Sequence, residues 1–354
     1  MMSKSQNEIR LSKGFSRVKL IIPTILGLGV VFYMFRDDFL NIQELAFSSN
    51  AAIALLAASM LVFIRDLAYV VRIKILSMGE LGWRHSIRSV LLWEFSSALT
   101  PSVIGGSAFA VLILKREGMS TGRSAATVLA TALMDEMFYV IAVPTVVLIA
   151  GLDAFFPEQL DWVDFGIRTL FYSGYTLTCI ASFIILFALF FTPSAIPKIL
   201  GYLFKLPILN RWKARASTWA EEWTIASKGL KQAGLKVWAG AGVATLISWS
   251  ARFLTLNAIL YAFIDTVPNA NIVARQLAMW IILLLSPTPG SSGIAEIAMP
   301  AFIAPLITVS SIGVIILIWR FFTYYIYLIL GAIIFPQWFS NTSDRSQVIE
   351  AAKN

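Results

Sequence analysis

The residues that could do chemistry are ionisable side chains set inside long apolar runs. They are Arg65, Asp66, Asp135, Glu136, Arg252 and Arg320. A charge at the centre of a bilayer costs about 2.5–3.5 kcal/mol on insertion scales, so each should face the protein interior, a partner charge or a wet cavity. We expect the arginines to bind an anionic group and the carboxylates to serve in ion pairs or in ion coupling.

A simpler reading of the same residues is structural. The charges would then pair as ion bridges, and Arg65 and Arg72 would extend to the membrane interface while their stems stay in apolar surroundings. For Arg320, the sequence predicts a partner in the other half of the chain, either Asp135 or Glu136. Neighbouring helical residues point about 100° apart, so these two carboxylates need not share a target.

Enzymatic sites are poorly represented. His85 is the single histidine and Cys179 the single cysteine, and neither lies in a metal-ligand spacing or beside a nucleophile. The sequence therefore predicts no metal, no cofactor and no catalytic residue. An acid/base or proton-relay role for Asp135-Glu136 stays open beside structural pairing.

Two apolar segments are broken by proline and glycine. The residues concerned, which we expect to line a binding site, are Thr100, Gly105 and Gly106 in the first break and Thr288, Gly290, Ser291, Gly293 and Glu296 in the second. Proline removes a backbone donor and glycine permits unusual backbone angles, so neither segment can be one continuous helix. Broken backbone at membrane depth survives only where protein or a water-filled cavity surrounds it. Amide groups freed at such breaks suit a phosphate or a carboxylate.

The two breaks also suggest an internal duplication. Thr288-Pro289 lies 188 positions after Thr100-Pro101, and the same offset carries Arg65 to within one residue of Arg252. Each arginine precedes its break within an apolar run. We expect two inverted halves, each with a re-entrant helical hairpin, as in many alternating-access transporters.

Composition gives the class of protein. Of the 354 residues, 58% are hydrophobic and 14% charged, which predicts an all-helical polytopic membrane protein. The net charge is +8, and the basic residues cluster beside the apolar runs, as they do in the cytoplasmic loops of membrane proteins. No nucleic-acid partner is therefore expected. The localisation predicted is the inner membrane, with both termini cytoplasmic.

The predicted organisation has five parts. Residues 1–50 hold a cytoplasmic N-terminus and a first span (Leu20 to Phe35), 51–152 the first half, 153–236 a fourth span and a basic amphipathic linker, 237–336 the second half, and 337–354 a polar tail. Other spans are expected near 51–76, 124–152, 167–191, 237–264 and 309–335. The linker repeats Trp212, Trp219, Trp223 and Leu230 on one helical face, which predicts a helix lying on the inner leaflet.

Taken together, these motifs resemble a known family. They are Arg65 with Tyr69 and Arg72, Thr100-Pro101 with Gly105-Gly106, Asp135-Glu136, Pro287-Thr288-Pro289-Gly290 to Glu296, and Trp319-Arg320 to Gly331. The chain resembles the flippase-like transmembrane region of lysylphosphatidylglycerol synthetases over about residues 51–331. That family usually reads Pro-Gly-Gly-x-Gly at the second break, whereas this chain has Ser291 at the second glycine. A soluble aminoacyl-transferring domain follows in full-length synthetases and is not in this sequence.

The resemblance implies translocation without synthesis. Our hypothesis is a lipid transporter that moves a phospholipid or a lipid-linked anionic head group between leaflets, with membrane lipids as its partners. Two other classes stay open: a membrane-embedded transferase acting on a lipid phosphate, and a non-transporting subunit of a lipid or glycan enzyme. A homo-oligomer is also left open.

Overall fold

The described part of the protein is helical throughout. The computed structural model describes residues 49–100, 102–157, 161–192, 213–307 and 312–351, together with Tyr33. The predicted first span and the linker residues before 213 lie outside these ranges. The helices in order are α1 (Ala51–Leu76), α2 (Trp83–Leu99), α3 (Ser102–Arg116), α4 (Thr121–Ala150), α5 (Asp161–Leu186), α6 (Lys213–Gln232), α7 (Gly234–Leu260), α8 (Asn269–Leu283), α9 (Ile294–Ile303), α10 (Ile312–Arg320) and α11 (Ile326–Ala351).

Five of the described segments are long and apolar enough to cross a membrane: Ala51–Leu76, Thr121–Ala150, Gly166–Phe191, Gly234–Leu260 and Ile312–Phe339. They coincide with the five spans expected after the first, with ends that shift by a few residues. The last span continues further than expected, because α11 carries on through the predicted polar tail to Ala351. The protein is therefore a multi-pass membrane protein.

Helices α1 and α7 pack extensively along each other. Ile75 lies against Gly240, and Arg72 donates a hydrogen bond to Thr245, so residue numbers rise along one helix as they fall along the other. The two helices are therefore antiparallel. The main apolar core is built on α7, α8, α9 and α10, with Ala54 and Ala58 of α1 contributing small side chains to it.

Helices α2 and α3 fold back on each other instead of forming one kinked span. Arg88 near the start of α2 pairs with Glu117, just beyond the end of α3, at 2.5 Å. The Trp338 indole N–H of α11 donates to the same carboxylate. Gly106 allows the close approach, because a Cβ at that position would collide with the Ser97 hydroxyl of α2.

Helices α8 and α9 form a second antiparallel pair. At its open end the guanidinium of Arg275 in α8 donates to the carbonyl of Phe302 in α9 at 2.9 Å. The turn between them contains three residues with positive φ, namely Gly290 (55°), Ser291 (53°) and Gly293 (86°). Ser291 thus takes a left-handed backbone conformation that glycine adopts at less cost.

Helix α6 corrects one expectation. Trp223, Ala226 and Leu230 are buried in a cluster that includes Ala130 of α4, and Glu222 accepts the backbone N–H of Gly122 at 2.8 Å. The sequence predicts that this apolar face contacts the inner leaflet. Its described residues instead pack on protein. An amphipathic face can be covered by lipid or by a neighbouring helix, and the period of the sequence is the same for both.

Candidate functional site

Four arginines that lie well inside the spans, away from their ends, are held by carboxylates, three of them closely. Arg65 pairs with Asp66 at 2.8 Å, Arg72 with Asp135 at 2.5 Å, and Arg320 with Glu296 at 2.7 Å, whereas Arg252 reaches Glu94 only at 3.4 Å. The side chains of Arg65, Arg72 and Arg320 are 5% exposed or less. Three of the four positive charges therefore have a dedicated partner.

The partner predicted for Arg320 is wrong. Its Nε donates to Glu296 within the same half, and not to Asp135 or Glu136. Glu296 is fully buried and also accepts the N–H of Gly293 at 2.7 Å, so its carboxylate caps the first turn of α9. The expectation of a free amide donor at Gly293 is wrong for the same reason, because the protein's own carboxylate takes that donor.

Asp135 lies at a contact between the two halves. Its carboxylate accepts hydrogen bonds from both terminal nitrogens of Arg72. It also accepts one from the indole N–H of Trp249 in α7, at 2.7 Å. Arg72 is 3% exposed, so the expectation that it extends to the interface is wrong. A bidentate pair with a bound indole fixes α1, α4 and α7 to one another.

Asp66 joins α1 to α11. Two nitrogens of Arg65 donate to one oxygen of Asp66, and the hydroxyl of Tyr327 lies 2.9 Å from the other oxygen, to which it donates. The guanidinium of Arg65 also lies over the ring of Tyr327, 4.7 Å from the ring centre. Asp66 is thus paired with Arg65 and linked to α11 by Tyr327.

A cavity of about 290 Å³ lies among these groups. Of the residues predicted to bind substrate, Thr100, Arg252, Gly290, Ser291 and Arg320 line it, together with Asp135 and Glu136. Outside the lining are Arg65, Asp66, Gly106, Thr288, Gly293 and Glu296, while Gly105 lies in the first turn of α3. The cavity lining therefore contains one part of the predicted site, whereas the other predicted residues are not in the lining.

The two broken segments meet at this cavity. The N–H of Gly290 points to the carbonyl of Thr100 at 3.5 Å, and the hydroxyl of Tyr324 donates to the carbonyl of Ala98 at 3.2 Å. A short π-helical stretch, Phe321–Tyr325, follows Arg320 and carries Tyr324. Such stretches often occur at functional sites, because the extra residue in the turn redirects side chains.

Several buried polar atoms that belong to cavity-lining residues have no hydrogen-bond partner in the part of the chain that the structure describes. They are Arg72 Nε, Thr131 Oγ1, Glu136 Oε2, Tyr139 OH and Arg252 Nε. Thr131 and Tyr139 are each 2% exposed. Most buried polar atoms in proteins are hydrogen-bonded, so this group of unpartnered atoms makes the cavity the candidate binding site.

Comparison with known proteins gives the family. A family model described as the lysylphosphatidylglycerol synthase TM region matches residues 20–331. The chain belongs to this family. It is also 28% identical over 279 residues to a UPF0104 membrane protein of Archaeoglobus fulgidus, a match that covers 75% of this chain and 81% of that one. No solved structure matches the chain.

The residues matched to the lysylphosphatidylglycerol synthase TM-region family include both broken segments and all four arginines. Sequence reasoning nevertheless missed one charged residue that lines the cavity. Glu94 of α2 lies between Arg65 and Arg252, at 3.7 and 3.4 Å. It is the only acidic residue within the apolar arm Val90 to Leu99, which was the available signal. The aromatic residues Trp249 and Trp280 were missed as well, since apolar runs are rich in such residues.

Proposed function

We propose that the protein moves a lipid with an anionic phosphate head group between the two leaflets of its membrane. One observation carries the proposal: Arg72 and Arg252 both line the cavity, and the buried Nε of each has no partner among the described residues. A guanidinium nitrogen can only donate a hydrogen bond, and the hydroxyls of Thr131 and Tyr139 beside them can also donate. A ligand rich in acceptors, such as a phosphate, suits a cavity whose lining residues carry these donors.

The location favours a lipid as the carrier of that phosphate. The cavity is lined by side chains of membrane-spanning helices, including Tyr69 of α1, Trp249 of α7 and Trp319 of α10. Lipid-facing surfaces of the same helices carry exposed Phe63, Leu246 and other large apolar side chains. The head group would occupy the cavity while the acyl chains stay in the bilayer. In this proposal the protein lies in the inner membrane with both termini cytoplasmic.

Translocation further requires access from both sides, and two inverted halves with re-entrant hairpins would provide it. Three features support that arrangement. Helices α1 and α7 are antiparallel, each broken segment forms an antiparallel helical pair, and the tips of the two pairs meet at Thr100 and Gly290. In addition, Arg88 and Arg275, which close the open ends of the pairs, are 187 positions apart, as are Arg65 and Arg252.

The test is reconstitution in vesicles that contain fluorescent phospholipids with different head groups. The measured quantity is the fraction of label that a membrane-impermeant reductant cannot reach. We expect the wild type to move at least one anionic lipid faster than protein-free vesicles do, and Arg252→Gln to lose that activity. Arg84→Gln changes an exposed arginine instead and should behave as the wild type.

Other outcomes identify the two competing classes. If the folded wild type moves none of a broad lipid panel, transport is wrong and an accessory subunit is the better reading. A membrane-embedded transferase would instead consume a donor and lose all activity on substitution of Asp135 or Glu136. We expect neither result, and the protein should act without a catalytic residue or cofactor.

A further inference from the structure

Arg252 differs from Arg65, Arg72 and Arg320 in how it is neutralised. One carboxylate oxygen of Glu94 lies 3.4 Å from a terminal nitrogen of Arg252. The same oxygen lies 3.7 Å from a terminal nitrogen of Arg65. Arg65 already has the close carboxylate of Asp66. Glu94 is therefore a carboxylate shared between an arginine that has its own partner and one that does not.

Aromatic rings hold the Arg252 guanidinium without neutralising it. Its central carbon is 4.9 Å from the ring centre of Trp249, 5.1 Å from that of Trp280 and 5.8 Å from that of Tyr69. Rings at these distances attract a cation and fix its position, but they carry no net charge. The guanidinium is thus preorganised at the cavity wall with a positive charge that Glu94 balances only loosely.

Glu94 is placed to respond to a ligand. It lies in α2 before the tip at Thr100, lines the cavity, and has a side chain that is 22% exposed. An anion that enters the cavity and contacts Arg252 would meet the Glu94 carboxylate, and like charges repel at such distances. A nearby second arginine, Arg65, offers Glu94 an alternative partner.

We propose that Glu94 competes with the lipid phosphate for Arg252. When the phosphate binds Arg252, it displaces the Glu94 carboxylate, which then pairs fully with Arg65. This inference rests on the proposed function and names its ligand chemistry, a phosphate oxyanion. The exchange also gives a route for release, because the returning carboxylate displaces the phosphate. Since Glu94 belongs to α2, binding at Arg252 is linked to the tip of the first helical pair.

The experiment measures the affinity of the purified full-length protein for dioctanoyl phosphatidylglycerol by calorimetric titration in detergent. Parallel arms use dioctanoylglycerol, which lacks the phosphate, and inorganic phosphate, which lacks the chains. Glu94→Gln should tighten binding of the phospholipid by about fivefold or more, as expected when a coupled competitor is removed. Arg252→Gln should weaken it by more than about tenfold, as does loss of a charged hydrogen bond. The double variant should resemble Arg252→Gln.

Glu80→Gln is the matched control, because it makes the same change at an exposed glutamate and should leave the affinity unchanged. In vesicles, Glu94→Gln should lower both the KM and the maximal rate of lipid movement, since release slows without the returning carboxylate. A purely structural role for Glu94 would lower the amount of folded protein and would not tighten binding.

The failures of the two proposals can be told apart. If Glu94→Gln binds phospholipid no more tightly than the wild type while the wild type moves lipid, the exchange is wrong and transport stands. If binding changes as expected but no lipid moves, the exchange stands and transport is wrong. Equal binding of inorganic phosphate and phospholipid would support the exchange and contradict a lipid as substrate.

Discussion

The Arg320–Glu296 pair offers a quantitative test of how the second helical pair is held. Arg320 is 4% exposed and Glu296 is fully buried, and their 2.7 Å contact is accompanied by the hydrogen bond from Gly293 to the same carboxylate. Removing one member of a buried pair leaves the other charge uncompensated, at a cost of about 3–5 kcal/mol. Arg320→Met and Glu296→Gln should therefore each lower the free energy of unfolding by about that amount.

The double variant Arg320→Met/Glu296→Gln carries no uncompensated charge, and glutamine still accepts the Gly293 N–H. It should be at least as stable as either single variant, so the coupling free energy should be at least about 3 kcal/mol. Stability is measured by equilibrium unfolding in mixed micelles with tryptophan fluorescence. Arg84→Met, at an exposed position, should change it by less than about 0.5 kcal/mol.

A crossed double variant separates this pairing from the one that the sequence suggested. Arg320→Met with Asp135→Asn should be additive, because Asp135 is paired with Arg72 and the two sites share no partner. Coupling in the crossed variant together with additivity in Arg320→Met/Glu296→Gln would refute the observed pairing.

Three further results are expected. Ser291→Gly should raise stability by up to about 1 kcal/mol, because glycine adopts positive φ without the strain of a side chain; a loss of stability would show that the serine side chain matters more than the backbone. Gly290→Ala should lower stability by about 1–3 kcal/mol, because its Cβ would collide with the ring of Tyr324, and an unchanged unfolding midpoint would contradict the close approach. Single cysteines at Lys115 and Thr266, in a background without the natural cysteine, should react with impermeant reagents from opposite sides of the membrane, whereas reaction from the same side would contradict inverted halves.

The helices were predictable because their signals are local. Apolar length gave the spans, and proline with glycine gave both breaks, including the turn with positive φ at Gly290 and Gly293. These features depend on a few neighbouring residues and on the thickness of a bilayer. The antiparallel folding of the first pair was also predictable, since basic residues flank both of its ends.

The pairing of charges was not predictable in the same way. Each of several carboxylates was a chemically suitable partner for Arg320, and the choice of Glu296 depends on how α9 packs on α10. One local signal for Glu296 was available, since a glutamate three residues after Gly293 is typical of a helix cap. Glu94 was not predicted because it lies in an apolar arm shorter than a full span, and because its contacts are with two arginines that are distant in sequence.

The most direct test of the proposed lipid site is a cryo-electron microscopy structure of the protein in nanodiscs that contain an anionic phospholipid. We expect density for a head-group phosphate in the cavity between Thr100 and Gly290, within hydrogen-bond distance of Arg252, with acyl-chain density leading into the bilayer. The same density should be absent from Arg252→Gln in identical nanodiscs. A well-resolved wild-type cavity without lipid density, across several anionic lipids, would contradict the proposal.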